Sequence, residues 1–263
     1  MAKMNVFINK MESCIALGDS MNKPAFTTGD GALKTFDVVV ANPMWNQDIF
    51  KQATYENDAY NRFTYGYPPN STADWGWIQH MYQSLNLKGR MAVVIDTGAV
   101  SRGSGNEGSN RERDIRKAFV ENDFVETVIL MPENLFYNTP SAGIILVLNK
   151  VKKHKNEVLL INASKLFEKG RPKNFLPEES IKKVSQTYHE WKQEEGLSAI
   201  AQKEEIIKND FALSPSRFVS TDGEDTTLPL DEAVVLLKEA KEDQAKADEA
   251  LKTVLEKLGF EIE

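Results

Sequence analysis

Short runs of β-branched and other apolar residues recur along the chain, separated by helical repeats or long polar loops. They cover Cys14 to Leu17, Phe36 to Ala41, Met91 to Asp96, Val125 to Met131, Ile144 to Asn149 and Val158 to Ile161. Such alternation predicts an α/β fold with a mainly parallel sheet. Within 75–85, Trp77, Ile78, Met81 and Leu85 fall at helical spacing and Lys88-Gly89 reads as the stop; a second helix is expected over 111–122. The runs at 125–131 and 144–149 enclose a loop, 132–143, that holds Phe136, Tyr137 and Pro140 and is long enough to wall a pocket. These two strands are expected to pair antiparallel at the end of the sheet. Pro177 sits at the first turn of a further helix, which puts Ile181, Val184, Tyr188 and Trp191 on one face against the body and runs on to Gly196.

Beyond 220 the pattern changes. Thr221-Asp-Gly-Glu-Asp-Thr-Thr is polar and without period, a linker over 221–229. After it, Leu230, Leu237, Leu251 and Leu258 share one heptad position, interrupted by Gln244, and Val234 and Leu255 share the complementary one with Lys241 and Asp248. This imperfect seam predicts a helical tail over 230–263, either docking on a partner or lying as a solitary amphipathic surface helix. The remainder divides at 150, with a basic loop at Lys152, Lys153, His154 and Lys155 opening an extension over 151–220.

Composition narrows the options. The net charge of −7, from 32 basic and 39 acidic residues, excludes a protein that grips nucleic acid through overall positive charge, so any DNA contact must be local or borrowed. The single cysteine, Cys14, cannot form an internal disulfide, and its apolar neighbourhood reads as a buried structural thiol in a reducing cytosol. No run approaches a membrane span, so a cytoplasmic protein is expected. His80, His154 and His189 are scattered, and no metal site is expected.

The most informative stretch is Asn42-Pro43-Met44-Trp45, where the run at 36–41 stops. An amide at a strand's carboxyl end offers an acceptor in the crevice where open α/β sheets bind ligands, and the proline stiffens the turn while leaving its carbonyl free. Two acceptors beside an aromatic face suit an extruded base whose amino group is the reacting centre. The same four residues also make an ordinary turn with Trp45 capping the core. Gly103-Ser-Gly105-Asn-Glu-Gly108 matches a dinucleotide fingerprint in spacing, but Thr97 to Arg102 separate it from the strand and Glu126 lies near the start of the next one, so a flexible loop is expected. Around it, Arg102, Arg111, Arg113, Arg116 and Lys117 form a candidate surface for DNA phosphate or an acidic partner.

Taken together, Leu17-Gly-Asp-Ser-Met, the strand and corner from Phe36 to Trp45, Ala73-Asp-Trp, Gln79-His80-Met81, Lys88-Gly-Arg-Met-Ala-Val-Val, Leu135-Phe-Tyr-Asn-Thr, Ile145-Leu-Val-Leu-Asn-Lys and Tyr188-His-Glu-Trp-Lys form a collinear series. It resembles, from about residue 2 to about residue 219, the modification subunit of Type I restriction-modification systems, a family of adenine-N6 DNA methyltransferases. The resemblance implies a Rossmann-like methyltransferase fold, with a mixed sheet and helices on both faces. It implies S-adenosylmethionine as methyl donor and a flipped adenine in DNA as acceptor. Asn42 and the Pro43 carbonyl would then hold the adenine amine and Trp45 would stack on the ring. Phe136 would be a second wall, and Asp19 would bind the cofactor's adenine edge. Partners would be a specificity subunit, docked through the tail, and a restriction subunit.

Two departures from the family pattern modify these expectations. Met44 replaces the usual second proline. The family's glycine-rich cofactor loop and ribose-binding acid lie upstream of the first residue here, so the chain reads as a C-terminal fragment, with 1–150 the later part of the catalytic domain and half of the cofactor site missing. An unpaired sheet edge would remain, a route to self-association. The expected function is therefore part of an adenine methyltransferase, inactive alone; the alternatives are a non-catalytic assembly module for a specificity subunit and, on the glycine loop alone, a dinucleotide enzyme.

Overall fold

The computed structural model describes residues 2–106 and 108–219. The linker and heptad tail expected after 220 lie outside these residues. Six strands form one mixed sheet: β1 (Phe36–Ala41), β2 (Leu85–Asp96), β3 (Val125–Leu130), β4 (Gly143–Asn149), β5 (Glu157–Asn162) and β6 (Ser198–Gln202). Their spatial order is β1-β2-β4-β3-β5-β6. The pairs β1/β2 and β3/β5 run parallel, whereas β2/β4, β3/β4 and β5/β6 run antiparallel. The mainly parallel sheet is thus corrected to a mixed one. β4 returns through the 131–142 loop, inserts between β2 and β3, and pairs with both.

The helices are α1 (Ala2–Ile8), α2 (Gln52–Glu56), α3 (Asp74–Gln83), α4 (Arg111–Glu121), α5 (Glu178–Glu190) and α6 (Lys203–Lys208). α3 and α4 cover one face of the sheet. Trp75, Ile78, Met81, Ile115 and Phe119 meet Met91, Val93 and Ile95 of β2 and Ile144, Leu146 and Leu148 of β4 in the main core. Residues two apart on a strand share a face, so each alternate residue of β2 and its β4 partner contributes a side chain to this layer. Burial of each such aliphatic side chain stabilises the fold by about 1.5–3 kcal/mol. α5 covers the other face at the β3/β5 end, where Val184, Tyr188 and Trp191 pack on Ile129, Leu159 and Ile161 as the spacing predicted, while Ile181 stays 53% exposed.

β1 has no such cover. Val39 packs toward the main core, but Val38 and Val40, on the opposite face, are 56% and 72% exposed, and β1 is an edge of the sheet. The segment around Cys14 is no strand: it is irregular, Cys14 is exposed and Leu17 is fully so. The buried thiol is therefore overturned, because no layer among the described residues lies over this stretch.

Local signals shift other boundaries. β2 begins at Leu85, and Gly89 lies inside the irregular start of its pairing with β1, where a Cβ would come within 3.0 Å of the Phe36 carbonyl oxygen. Lys88-Gly89 is thus not a helix stop. α5 ends at Glu190 because Trp191 takes the left-handed conformation, five positions before Gly196. β6 was not foreseen, since Ser-Ala-Ile-Ala-Gln carries little β-forming character.

Candidate functional site

The carboxyl ends of β1 and β2 and the loop before β4 open into one cleft of about 660 Å³. It is lined by Asn42, Pro43, Met44 and Trp45, by Phe136 and Tyr137, and by Asp96 among others. Four of the five expected site residues, Asn42, Pro43, Trp45 and Phe136, are therefore brought together.

Hydrogen bonds shape the corner. The Trp45 indole N–H donates to the Asn42 side-chain oxygen at 3.2 Å and to the Val94 carbonyl at 3.3 Å, which ties the turn back to β2. Trp45 is half-buried against the main core and also lines the cleft, so the packing and ligand-facing alternatives are not exclusive. The Phe136 ring meets it edge-on, with centroids 4.9 Å apart and planes at 74°. Gly143 makes this contact possible: a Cβ there would stand 2.7 Å from the Trp45 ring and 2.8 Å from that of Phe136. Met44 projects outward and is 70% exposed.

The Phe136 loop is strapped from outside. Lys173 donates to the Asn134 side chain at 3.0 Å and to the Thr139 carbonyl at 3.1 Å, and Asn174 donates to the Glu133 carbonyl at 3.0 Å. Nothing in the sequence around Lys173 signalled this, because the partners are more than thirty residues away.

Asp19 is not among the residues that line the cleft. Its carboxylate accepts the backbone N–H groups of Met21 at 2.9 Å and Asn22 at 3.1 Å, and the Asn22 side chain at 2.7 Å. Those Asn22 bonds hold its pKa below the ordinary carboxylate value. The turn itself is anchored by Arg62, a buried guanidinium that donates to the Ser20 and Met21 carbonyls, to Asp58 and to the His80 ring at 3.1 Å. Burial and then the Arg62 charge depress His80 to about 4, so the imidazole is a neutral acceptor.

The arginine surface is partly corrected. Arg116 is fully buried and donates to the carbonyls of Phe211, Ala99 and Arg102 and to the Ser104 hydroxyl. Arg102 is bound to Asp74, Asp96, Glu112 and Asn46. Neither guanidinium is presented outward. The glycine loop follows suit: Gly103, Gly105 and Gly108 have positive φ, and the loop is pinned by Ser104 and Gly105 to Asp210.

Comparison with known proteins agrees with this arrangement. The N-6 DNA methylase family model matches residues 1–227. The chain is 36% identical to the Type I restriction enzyme MjaVIII methylase subunit of Methanocaldococcus jannaschii, over 98% of this chain and 46% of that protein. It is 34% identical to the Type I restriction enzyme HindI methylase subunit of Haemophilus influenzae, over 91% of this chain and 55% of that one. It thus spans about half the length of these relatives. Among solved structures, the type I restriction-modification methyltransferase subunit from Streptococcus thermophilus superposes with a TM-score of 0.75 at 29% identity, covering 84% of this chain and 46% of that one. The M protein of the Type I restriction enzyme EcoKI, with a TM-score of 0.60 at 16% identity over 99% of this chain and 58% of that one, agrees in fold. With its mixed sheet, its strand-end corner and a family match over most of its length, the chain belongs to the N-6 DNA methylase family.

Proposed function

We propose that this chain is the acceptor-presenting part of an adenine-N6 DNA methyltransferase, the kind of subunit that modifies DNA within a Type I restriction-modification assembly. The observation that carries the reading is the convergence of Asn42, Pro43 and Trp45 with Phe136 on one cleft at the carboxyl ends of β1 and β2. The two rings touch edge-on, so a flipped adenine would lie in the cleft against them rather than between them. Its exocyclic amine would donate to the Asn42 side-chain oxygen and the Pro43 carbonyl. Two acceptors draw the amine's hydrogens into fixed directions, weaken delocalisation of its lone pair into the ring and aim that pair outward; positioning of this kind needs no general base.

S-adenosylmethionine would supply the methyl group. The residues present do not make a complete pocket for it. Asp19 is exposed and committed to the Met21 and Asn22 amides, and the glycine loop is pinned to Asp210 through Ser104 and Gly105. We infer that the described residues alone do not support methyl transfer and that a further polypeptide segment completes the cofactor site. DNA, a specificity subunit and a restriction subunit are the proposed partners.

A single-stranded oligonucleotide carrying one adenine beside a 2-aminopurine reporter signals capture of that adenine by the change in reporter fluorescence as the two bases unstack. The chain should bind it, and Asn42→Ala should weaken capture by about tenfold, the loss of one or two neutral hydrogen bonds. Equal capture by Asn42→Ala overturns the base-holding assignment. Micromolar binding of S-adenosylmethionine to the chain alone in calorimetry overturns the incomplete cofactor site.

A further inference from the structure

The turn that follows β1 does not hold its shape unaided. Asn46, its last residue, sits at φ 51°, in the left-handed region, where asparagine is tolerated but not at rest. Its backbone N–H donates to Asp74 at the start of α3 at 3.0 Å, and its side-chain oxygen accepts from Arg102 at 3.0 Å. Both bonds lead to one guanidinium. Arg102 donates from Nη1 to Asp96 at 2.9 Å, from Nη2 to Asp74, and from Nε and Nη2 to Glu112 at 2.6 and 3.0 Å. Asp74 and Glu112 are buried, and Thr72 donates to Glu112 at 2.8 Å. Glycine at 98 leaves room for this arrangement: a Cβ there would lie 2.1 Å from Arg102 Nη1 and 2.6 Å from Asp96 Oδ2. The group thus joins the corner after β1, the end of β2, the start of α3 and the first turn of α4 at one planar, fully charged side chain. Asn46 and Asp96 line the cleft; Arg102, Asp74 and Glu112 are not among its lining residues.

We propose that Arg102 is the positioning residue of the base-holding corner, fixing the 42–46 turn through Asn46 and Asp74 and the cleft's Asp96 directly, without touching the base itself. This rests on the reading of the cleft given above. A guanidinium suits the task because its donors are coplanar and diverge in fixed directions, so one group can hold four partners at once; a lysine ammonium cannot reproduce that fork. The arrangement also explains why the cleft tolerates a strained residue beside Trp45: the surrounding bonds over-determine it.

Three variants separate positioning from mere stability. Asn46→Gly keeps the left-handed backbone but removes the acceptor for Arg102, and Asn46→Asp restores an acceptor. Arg102→Lys keeps a charge among the carboxylates but loses the fork. In the 2-aminopurine assay, Asn46→Gly and Arg102→Lys should each weaken capture about fivefold to tenfold, with Asn46→Asp near the parent. Hydrogen exchange measured without any nucleotide should show the Asn46 amide and its neighbours opening at least about tenfold faster in Arg102→Lys, with the β2 and β4 amides unchanged. If Asn42→Ala abolishes capture while Asn46→Gly and Arg102→Lys leave it intact, the positioning role is overturned and the base site stands. If Asn42→Ala has no effect, or the parent itself captures nothing, the base site falls, and the exchange rates still decide whether the clamp holds the turn: unchanged rates in Arg102→Lys overturn it.

Discussion

Two turns stand before and after β1, and each is anchored by an arginine, but the two anchors are built differently. At the Asp19 turn, Arg62 is almost wholly buried and faces one carboxylate, Asp58, with backbone carbonyls and the neutral ring of His80. At the Asn42 turn, Arg102 retains 27% exposure and faces three carboxylates. The first turn ends at an open surface beside exposed Leu17; the second ends in a cleft walled by Phe136. Neutral acceptors fix a guanidinium without adding charge, whereas three carboxylates make it the keystone of a network that collapses if it is removed. The Asn42 turn is thus held mainly by charge, and the Asp19 turn mostly by dipoles.

The largest test of that contrast is Arg102→Ala. Burial raises the Asp74 carboxyl and Arg102 opposes the rise; burial also works against the charge of Arg102, yet Glu112 and Asp74 outweigh it and hold its pKa above the ordinary value. Removing the guanidinium leaves Asp74 and Glu112 buried and mutually repulsive, and chemical denaturation should show a loss of about 3–5 kcal/mol near neutral pH. Because protonation of Asp74 relieves the repulsion, the deficit should shrink in acid and grow again as the pH rises; a pH-independent deficit would mean that packing alone was lost.

The Asp19 side should respond oppositely. His80 has a folded pKa of about 4 against an ordinary 6.5, so its contribution is complete above 6.5 and is lost as the pH falls from there to 4, by roughly 3 kcal/mol. His80→Gln keeps an acceptor for Arg62 and should flatten that part of the stability profile. An undiminished acid-side decline in the variant would locate the sensitivity elsewhere. On the walled side, Gly143→Ala forces Trp45 and Phe136 apart and should cost about 1–3 kcal/mol with loss of adenine capture, both measurable on one preparation. The smallest effect belongs to the open side: Val40→Lys should change stability by less than about 0.5 kcal/mol and, if β1 edges bring copies together, convert larger species in light scattering to monomer.

Much of this was legible from residue order. The β-branched runs located β1, β3, β4 and β5 to within a residue or two, helical spacing found α3, α4 and the packing face of α5, and the strand-end position of Asn42-Pro43 pointed to the cleft. Periodicity could not show that no layer covers Cys14 and Leu17, since an apolar run reads the same with or without its partner. Nor could it find the Arg102 clamp, whose members at 46, 74, 96, 102 and 112 meet only after β1, β2, α3 and α4 have assembled. Arg102 read as a surface cation because its own neighbours are polar glycine-loop residues.

On the base-holding role proposed for Asn42, its bond from the indole carries a consequence for affinity. An asparagine side chain free in solution samples several rotamers, and immobilising such a group on binding typically costs about 0.5–1.5 kcal/mol. Here the Trp45 N–H already holds the Asn42 oxygen at 3.2 Å, so that ordering is completed when the protein folds. The amide is preorganised: its oxygen keeps a second lone pair for an incoming donor, and its polarity is set before any ligand arrives.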